Sequence, residues 1–189
     1  SGVLFGASGA FNGGSLVVST LDFKGAPPGT QVFGPGDRTV TLASRDVVID
    51  PGSALAAVEL KLEAGAGALR SSGSVLLLGE QVTVGKTVAA QDEVYVVAAS
   101  DVRITSRAGS PVGYAFAKGT RLNGAQVLAS GNVEGRSIVL AASNGTSALA
   151  DLLQVEAGSR LTVTQDGGSI TLLTAAQPVT LGDPATGAN

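Results

Sequence analysis

Short runs of Val, Leu, Ile and Thr return along this chain about every 17–20 residues, separated by Gly, Ser, Asn and Asp. Val40 opens Val-Thr-Leu, Val58 lies in Val-Glu-Leu-Lys-Leu, Val75 opens Val-Leu-Leu-Leu and Val94 opens Val-Tyr-Val-Val, at intervals of 18, 17 and 19 residues. A repeat of that length is too short for a domain. It is the length of one coil of a solenoid, whose turns bury their inner faces only by stacking on one another. Strand-like runs of four to eight residues fit at Ser15–Thr20, Arg38–Ala43, Asp46–Ile49, Ala57–Glu63, Ser74–Leu78, Gln81–Val84, Glu93–Ala98, Asp101–Thr105, Arg136–Ala141, Arg160–Thr164, Ser169–Thr174 and Pro178–Leu181. Some alternate, as at Val40 and Leu42 or Leu161 and Val163, whereas Val75–Leu78 is continuously apolar. Helical spacing fits poorly; the best candidate is one or two turns within Thr146–Glu156.

Between the runs stand Gly-rich corners such as Ala64–Gly67, Ser71–Gly73 and Gly167-Gly168, where Gly and Asn supply the positive φ that tight turns need. Ala43–Ile49 and Ala98–Ile104 read as equivalent corners, with Leu78–Val84 between them in the same register. The least repeat-like stretch, Lys24–Asp37, carries three prolines and four glycines and reads as an extra-helical loop or small hairpin. The pattern therefore predicts an all-β chain, a right-handed parallel β-helix of ~20-residue coils over residues 1–182, with residues 183–189 as a frayed tail. Roughly eight or nine coils stacked at ~4.8 Å give a rod of ~40 Å. A β-sandwich is the competing fold, because its short strands also recur at close intervals.

Composition narrows the chemistry. Gly accounts for 27 of 189 residues and aromatic side chains for 4%, so the core must be built from small aliphatic side chains in regular layers. A hydrophobic content of 44% is too high for a disordered chain. With 12 basic and 15 acidic residues scattered singly, nothing forms the basic footprint that nucleic acid requires. No run approaches the ~20 apolar residues of a membrane span, and no basic amphipathic helix can be drawn. No signal peptide is visible at the start of the chain. Cys, His, Met and Trp are all absent, which removes disulfides, thiolate nucleophiles, ordinary zinc sites and any Ser-His-Asp triad.

Other constellations are weak. Gly79–Thr87 resembles a phosphate-binding loop but has five residues between its glycines where four are needed, and no helix follows. Polysaccharide-processing β-helices use paired carboxylates. Asp46 and Asp101 fall on equivalent corners three coils, ~14 Å, apart. Glycoside hydrolysis needs its two carboxyl groups within roughly 5–9.5 Å. Asp92 and Glu93 are adjacent, so on a strand they point to opposite faces, and both read as solvated corner charges. Tyr95, Tyr114 and Phe116 are either a sugar-stacking patch or core positions, with core favoured. Asn144-Gly145-Thr146 fits a glycosylation sequon but reads as a turn. No catalytic residue, metal ligand or cofactor is nominated.

The opening residues, Ser1 to Asp22, carry a resemblance. Gly2 and Val3, then Phe5-Gly6, then Gly14 through Asp22 (with Leu16, Val17, Ser19, Thr20 and Leu21) are similar to the latter part of the secretion domain of filamentous-haemagglutinin-type exoproteins. In that family an Asn-Pro-Asn-Gly-Ile motif runs into a Phe-Gly segment and then into Gly-Gly-Leu-Val-Ala-Ser-Thr-Leu-Asp. Val94–Ala99 and Ser159–Ala176 resemble the repeats that follow it. The resemblance implies two-partner secretion: a secreted or cell-surface exoprotein, threaded through a dedicated outer-membrane transporter and folding outside into a non-catalytic structural β-helix. The Asn-Pro of the motif and the capping half of that domain are expected upstream of Ser1, and the segment after Asp22 is shorter and richer in Pro than the family pattern. The first coil should then expose unpaired strand edges, open to end-to-end pairing of Ser1–Thr20 with another chain or an upstream fragment. The alternatives are a polysaccharide-binding or polysaccharide-processing β-helix and a self-assembling extracellular fibre subunit.

Overall fold

A computed structural model describes residues 2–24, 38–43, 59–99, 101–106, 113–116, 125–143, 151–174 and 180–181. Within them the chain is all-β. It opens with β1 (Val3–Phe5), β2 (Phe11–Gly13), β3 (Leu16–Ser19), β4 (Asp22–Lys24) and β5 (Arg38–Ala43). Then come β6 (Glu59–Leu62), β7 (Ala68–Ser71), β8 (Val75–Gly79), β9 (Gln81–Val84), β10 (Thr87–Ala90) and β11 (Glu93–Ala98). They are followed by β12 (Asp101–Ser106), β13 (Gly113–Phe116), β14 (Gln126–Ala129), β15 (Val133–Gly135) and β16 (Ser137–Ala142). The last are β17 (Leu152–Val155), β18 (Leu161–Val163), β19 (Ser169–Thr174) and β20 (Thr180–Leu181).

Three parallel sheets organise these strands. Sheet A has the order β1-β6-β9-β14-β17-β20, sheet B the order β18-β15-β10-β7-β2, and sheet C the order β19-β16-β11-β8-β3. Along the chain the strands visit A, B and C in rotation, five complete circuits in all, and β20 opens a sixth. This arrangement is compatible with a solenoid. A fourth sheet, D, is antiparallel, with the order β13-β12-β5-β4. The chain enters D twice, after the first circuit and after the third.

Register explains the sequence pattern. Across sheet C, Val75 pairs with Val94, Val94 with Ile138 and Ile138 with Ile170, so like side chains stack in columns. Val3, Leu60, Val82, Val127 and Leu153 form such a column in sheet A. Phe11, Leu69, Val88, Val133 and Leu161 do so in sheet B. These columns meet in one central core, where Leu60, Leu62, Leu69, Leu77, Ile138, Leu140 and Leu153 are fully buried. Each such side chain contributes about 1.5–3 kcal/mol of transfer free energy.

The expected count of eight or nine coils is corrected to five circuits among the described residues, because the chain spends residues on sheet D. Val75 and Val94 are register partners in sheet C, as their spacing suggests. Val40 instead lies on β5 in sheet D, and Val58 lies outside the described residues. The corners Ala43–Ile49 and Ala98–Ile104 are not equivalent coil corners either. Ala43 pairs with Asp101 across the antiparallel β5–β12 ladder, while Gly79 to Gln81 leads from sheet C into the next strand of sheet A. The extra-helical stretch placed at Lys24–Asp37 is flanked by the D strands β4 and β5, so the departure extends through Ala43; residues 25–37 themselves lie outside the described residues. Leu152–Val155, read as part of a short helix, is strand β17 and pairs with β14. Asp46–Ile49 and the tail from 182 onward also lie outside the described residues.

Sheet D has a consequence for sheet C. Strands β8 and β11 are buried at every position. Their inward side chains join the central core, while Leu76, Leu78, Tyr95 and Val97 join Leu21, Ala99, Ala141 and Val102 of β12 in a second apolar cluster. The unbroken run Val75–Leu78 is what a strand covered on both faces should look like. The outer face of sheet B has no such cover among the described residues, and its strands β7, β10 and β15 alternate buried positions with half-buried or exposed ones.

Candidate functional site

The residues that carry the family resemblance build the first circuit and its exit. Gly2 precedes β1, and a Cβ there would collide with the Glu59 carbonyl of the next circuit. Val3 and Phe5 pack against the central core from β1, and Leu16 does so from β3. Val17 faces the opposite way and packs against the second cluster. Ser19 then fixes the turn that leaves the circuit: its Oγ accepts from the Leu21 N–H and donates to the Leu21 carbonyl, both at 3.0 Å. Thr20 donates its N–H to the Leu78 carbonyl at 3.0 Å, and its Oγ1 is buried without a hydrogen-bond partner. Leu21 is 4% exposed within the second cluster, and Asp22 opens β4 in sheet D. The motif thus contains two circuit strands, a side-chain-locked turn and the start of the first departure. Strands β1, β2 and β3 stand at the end of sheets A, B and C respectively.

Gly6 carries a contact that the sequence did not announce. Lys86, 2% exposed, sits at the corner between β9 and β10, two circuits further on. Its Nζ donates to the carbonyls of Gly6 at 2.6 Å, Gly9 at 2.9 Å and Ala7 at 3.4 Å. A buried ammonium must be met by acceptors, and three converging carbonyls meet it here. The corner around it is tight. A Cβ on Gly85 would lie 2.6 Å from the Leu62 carbonyl, and one on Gly131 would collide with the backbone of Lys86. The phosphate-loop pattern at Gly79–Thr87 is therefore a strand and a corner, with its lysine occupied internally.

Positive φ is not the main reason for the corner glycines. Among the described residues the left-handed region is held only by Gly158 and Gly167, at φ 85° and 77°. Close approach of stacked corners accounts for Gly85 and Gly131 instead.

The charges weighed in the sequence fall differently from expectation. Asp92 is exposed, but Glu93 is only 5% exposed and is no solvated corner charge. Tyr95 donates its hydroxyl to Glu93 Oε2 at 3.0 Å, and the Arg136 guanidinium lies 3.8 Å from Oε1. Tyr95 is buried in the second cluster, which removes it from any exterior sugar-stacking patch. Tyr114 and Phe116 lie on β13 of sheet D. Asp101 is on β12, and Asp46 and Asn144–Thr146 lie outside the described residues. Among the described residues no group of three His, Cys, Asp or Glu side chains could hold a metal ion.

A shallow groove of about 450 Å³ runs across the outer face of sheet B. Its lining includes Arg70, Ala89, Gln91, Glu134, Thr164 and Gln165. Register places Arg70, Ala89 and Glu134 side by side on β7, β10 and β15. They were missed for a simple reason: each is the middle residue of a short triplet with buried flanks, Leu69-Arg70-Ser71, Val88-Ala89-Ala90 and Val133-Glu134-Gly135, too short to read as a strand. A search for outward residues at the centre of such triplets would have found them.

Comparison of the chain with protein-family models, with curated proteins and with solved structures returned no match.

Proposed function

We propose that this chain is a right-handed parallel β-helical segment of a secreted or bacterial cell-surface exoprotein of the two-partner-secretion, haemagglutinin or adhesin type. Its work is mechanical: a stiff stack that projects or assembles surface-active parts, without catalysis, cofactor, nucleic acid or membrane insertion. The parent protein's partner is an outer-membrane transporter of the two-partner type. One observation carries the reading. The resembling residues, Gly2–Gly6 and Gly14–Asp22, are the ones that contribute strands β1 and β3 of the parallel stack and the Ser19-locked turn out of it.

The enzymatic form of the carbohydrate alternative finds less support. The sheet B groove brings one carboxylate, Glu134, to its lining, whereas hydrolysis needs two within about 10 Å. The test is location in the producing cell. Antibody against this chain should find it in the medium or on intact cells, sensitive to added protease, and both signals should disappear when the outer-membrane transporter is deleted. Recovery of the chain in the intracellular soluble fraction, unaffected by that deletion, overturns the proposal.

A further inference from the structure

We propose that the outer face of sheet B is a binding groove for an acidic oligosaccharide lying along the stacking direction, with a sugar carboxylate seated on Arg70. This inference is independent of the secretion reading; it rests on the groove alone. Three neighbouring positions in register define the floor. Arg70 on β7 and Glu134 on β15 flank Ala89 on β10, which puts the two charged residues two strand spacings, ~9.6 Å, apart. No ion pair joins them, and neither side chain hydrogen-bonds with any described residue. The small Ala89 leaves an open step between them. Gln165 closes the far side, donating Nε2 to the Gln91 carbonyl at 3.3 Å across two circuits.

The chemistry of the lining selects the occupant. Arg70 offers a planar fork that matches a carboxylate and holds it in two parallel hydrogen bonds. Gln91, Thr164 and Gln165 offer donors and acceptors suited to hydroxyls, and Glu134 accepts from hydroxyls while repelling a second carboxylate. The carboxylate of the ligand is thereby directed to the Arg70 end. An extended peptide fits less well. Strands β7, β10 and β15 are paired on both sides, so no backbone edge is free to receive it, and the floor has no deep apolar pocket for side chains. Without an aromatic platform the site binds weakly and depends on the charge contact.

The experiment is direct binding of the full chain, by chemical-shift perturbation, to a panel of uronate tetramers of different linkage, their methyl esters and a zwitterionic peptide. Expected is binding of at least one uronate with shifts confined to sheet B, weakened at least about tenfold by Arg70→Gln, since a charge-assisted contact is lost. The methyl ester should bind as weakly as that variant. Ala89→Leu, which fills the step without touching either charge, should abolish binding. Glu134→Gln should leave it within about threefold, because an amide oxygen still accepts from a hydroxyl. All three side chains point outward, and an unchanged unfolding midpoint verifies the fold of each variant. No uronate bound at millimolar concentration, equal binding of the ester, or preference for the peptide with loss in Glu134→Gln each overturns the proposal.

Discussion

Sheets B and C are built from the same five circuits, one strand of each per circuit, yet they read differently in sequence and do different things. Sheet C is covered inside by the core and outside by sheet D, so β8 and β11 are buried at every position. Among the described residues sheet B is covered inside only, so β7 and β10 alternate and turn Arg70 and Ala89 outward. A parallel stack therefore does not dictate its own exterior. What lies over a face decides whether that face is a second core or an open surface.

The comparison can be broken most forcefully on matched outward positions. Leu76→Ala removes a side chain from the second cluster and should cost about 2–5 kcal/mol. Ala89→Ser, outward on sheet B, should stay within about 0.5 kcal/mol. Urea unfolding midpoints check both, and equal effects would mean that sheet D does not cover sheet C in solution. Next in size is Lys86→Met. It leaves the Gly9 carbonyl without this donor and the Gly6 carbonyl with only the Gly9 N–H, and should cost about 1–3 kcal/mol. Amide exchange should then accelerate in residues 2–19 and stay unchanged in β16; uniform acceleration would deny the local role. Tyr95→Phe keeps the ring in the second cluster but removes the hydroxyl donated to buried Glu93, for about 1–2 kcal/mol. The smallest effect belongs to Leu4→Lys. Leu4 is 62% exposed on sheet A, and thermal unfolding should register a change under about 0.5 kcal/mol.

Legibility in the sequence followed strand length and cover. Sheet C was readable: Ser15–Thr20, Ser74–Leu78, Glu93–Ala98, Arg136–Ala141 and Ser169–Thr174 match β3, β8, β11, β16 and β19 to within a residue or two. Their long apolar runs exceed what a turn would carry. Sheet B was almost invisible, with only β18 anticipated, because three or four residues holding Gly, Ser or Arg give period-2 alternation no room to show. Sheet D was misread for a deeper reason. Arg38–Ala43 and Asp101–Ser106 have good strand composition, and composition is silent about which partner a strand takes. The motif residues were legible as a block, but Ser19 as the lock of the exit turn, Lys86 as the cation over Gly6 and Glu93 as a buried acid were not. A lone Lys in a Gly-Lys-Thr corner looks the same whether its ammonium meets water or backbone.

That lysine also bears on the order of assembly. The ammonium that meets the carbonyls of Gly6 and Gly9 belongs to a residue 80 and 77 positions later, after the first excursion, one further circuit and strand β9. Loop closure over such a span is slow compared with pairing of adjacent strands. The opening circuit is consequently a provisional structure while the chain emerges, and it is consolidated only when the third circuit delivers its cation. The first described circuit thus completes its contacts after the second, although it precedes it in the chain.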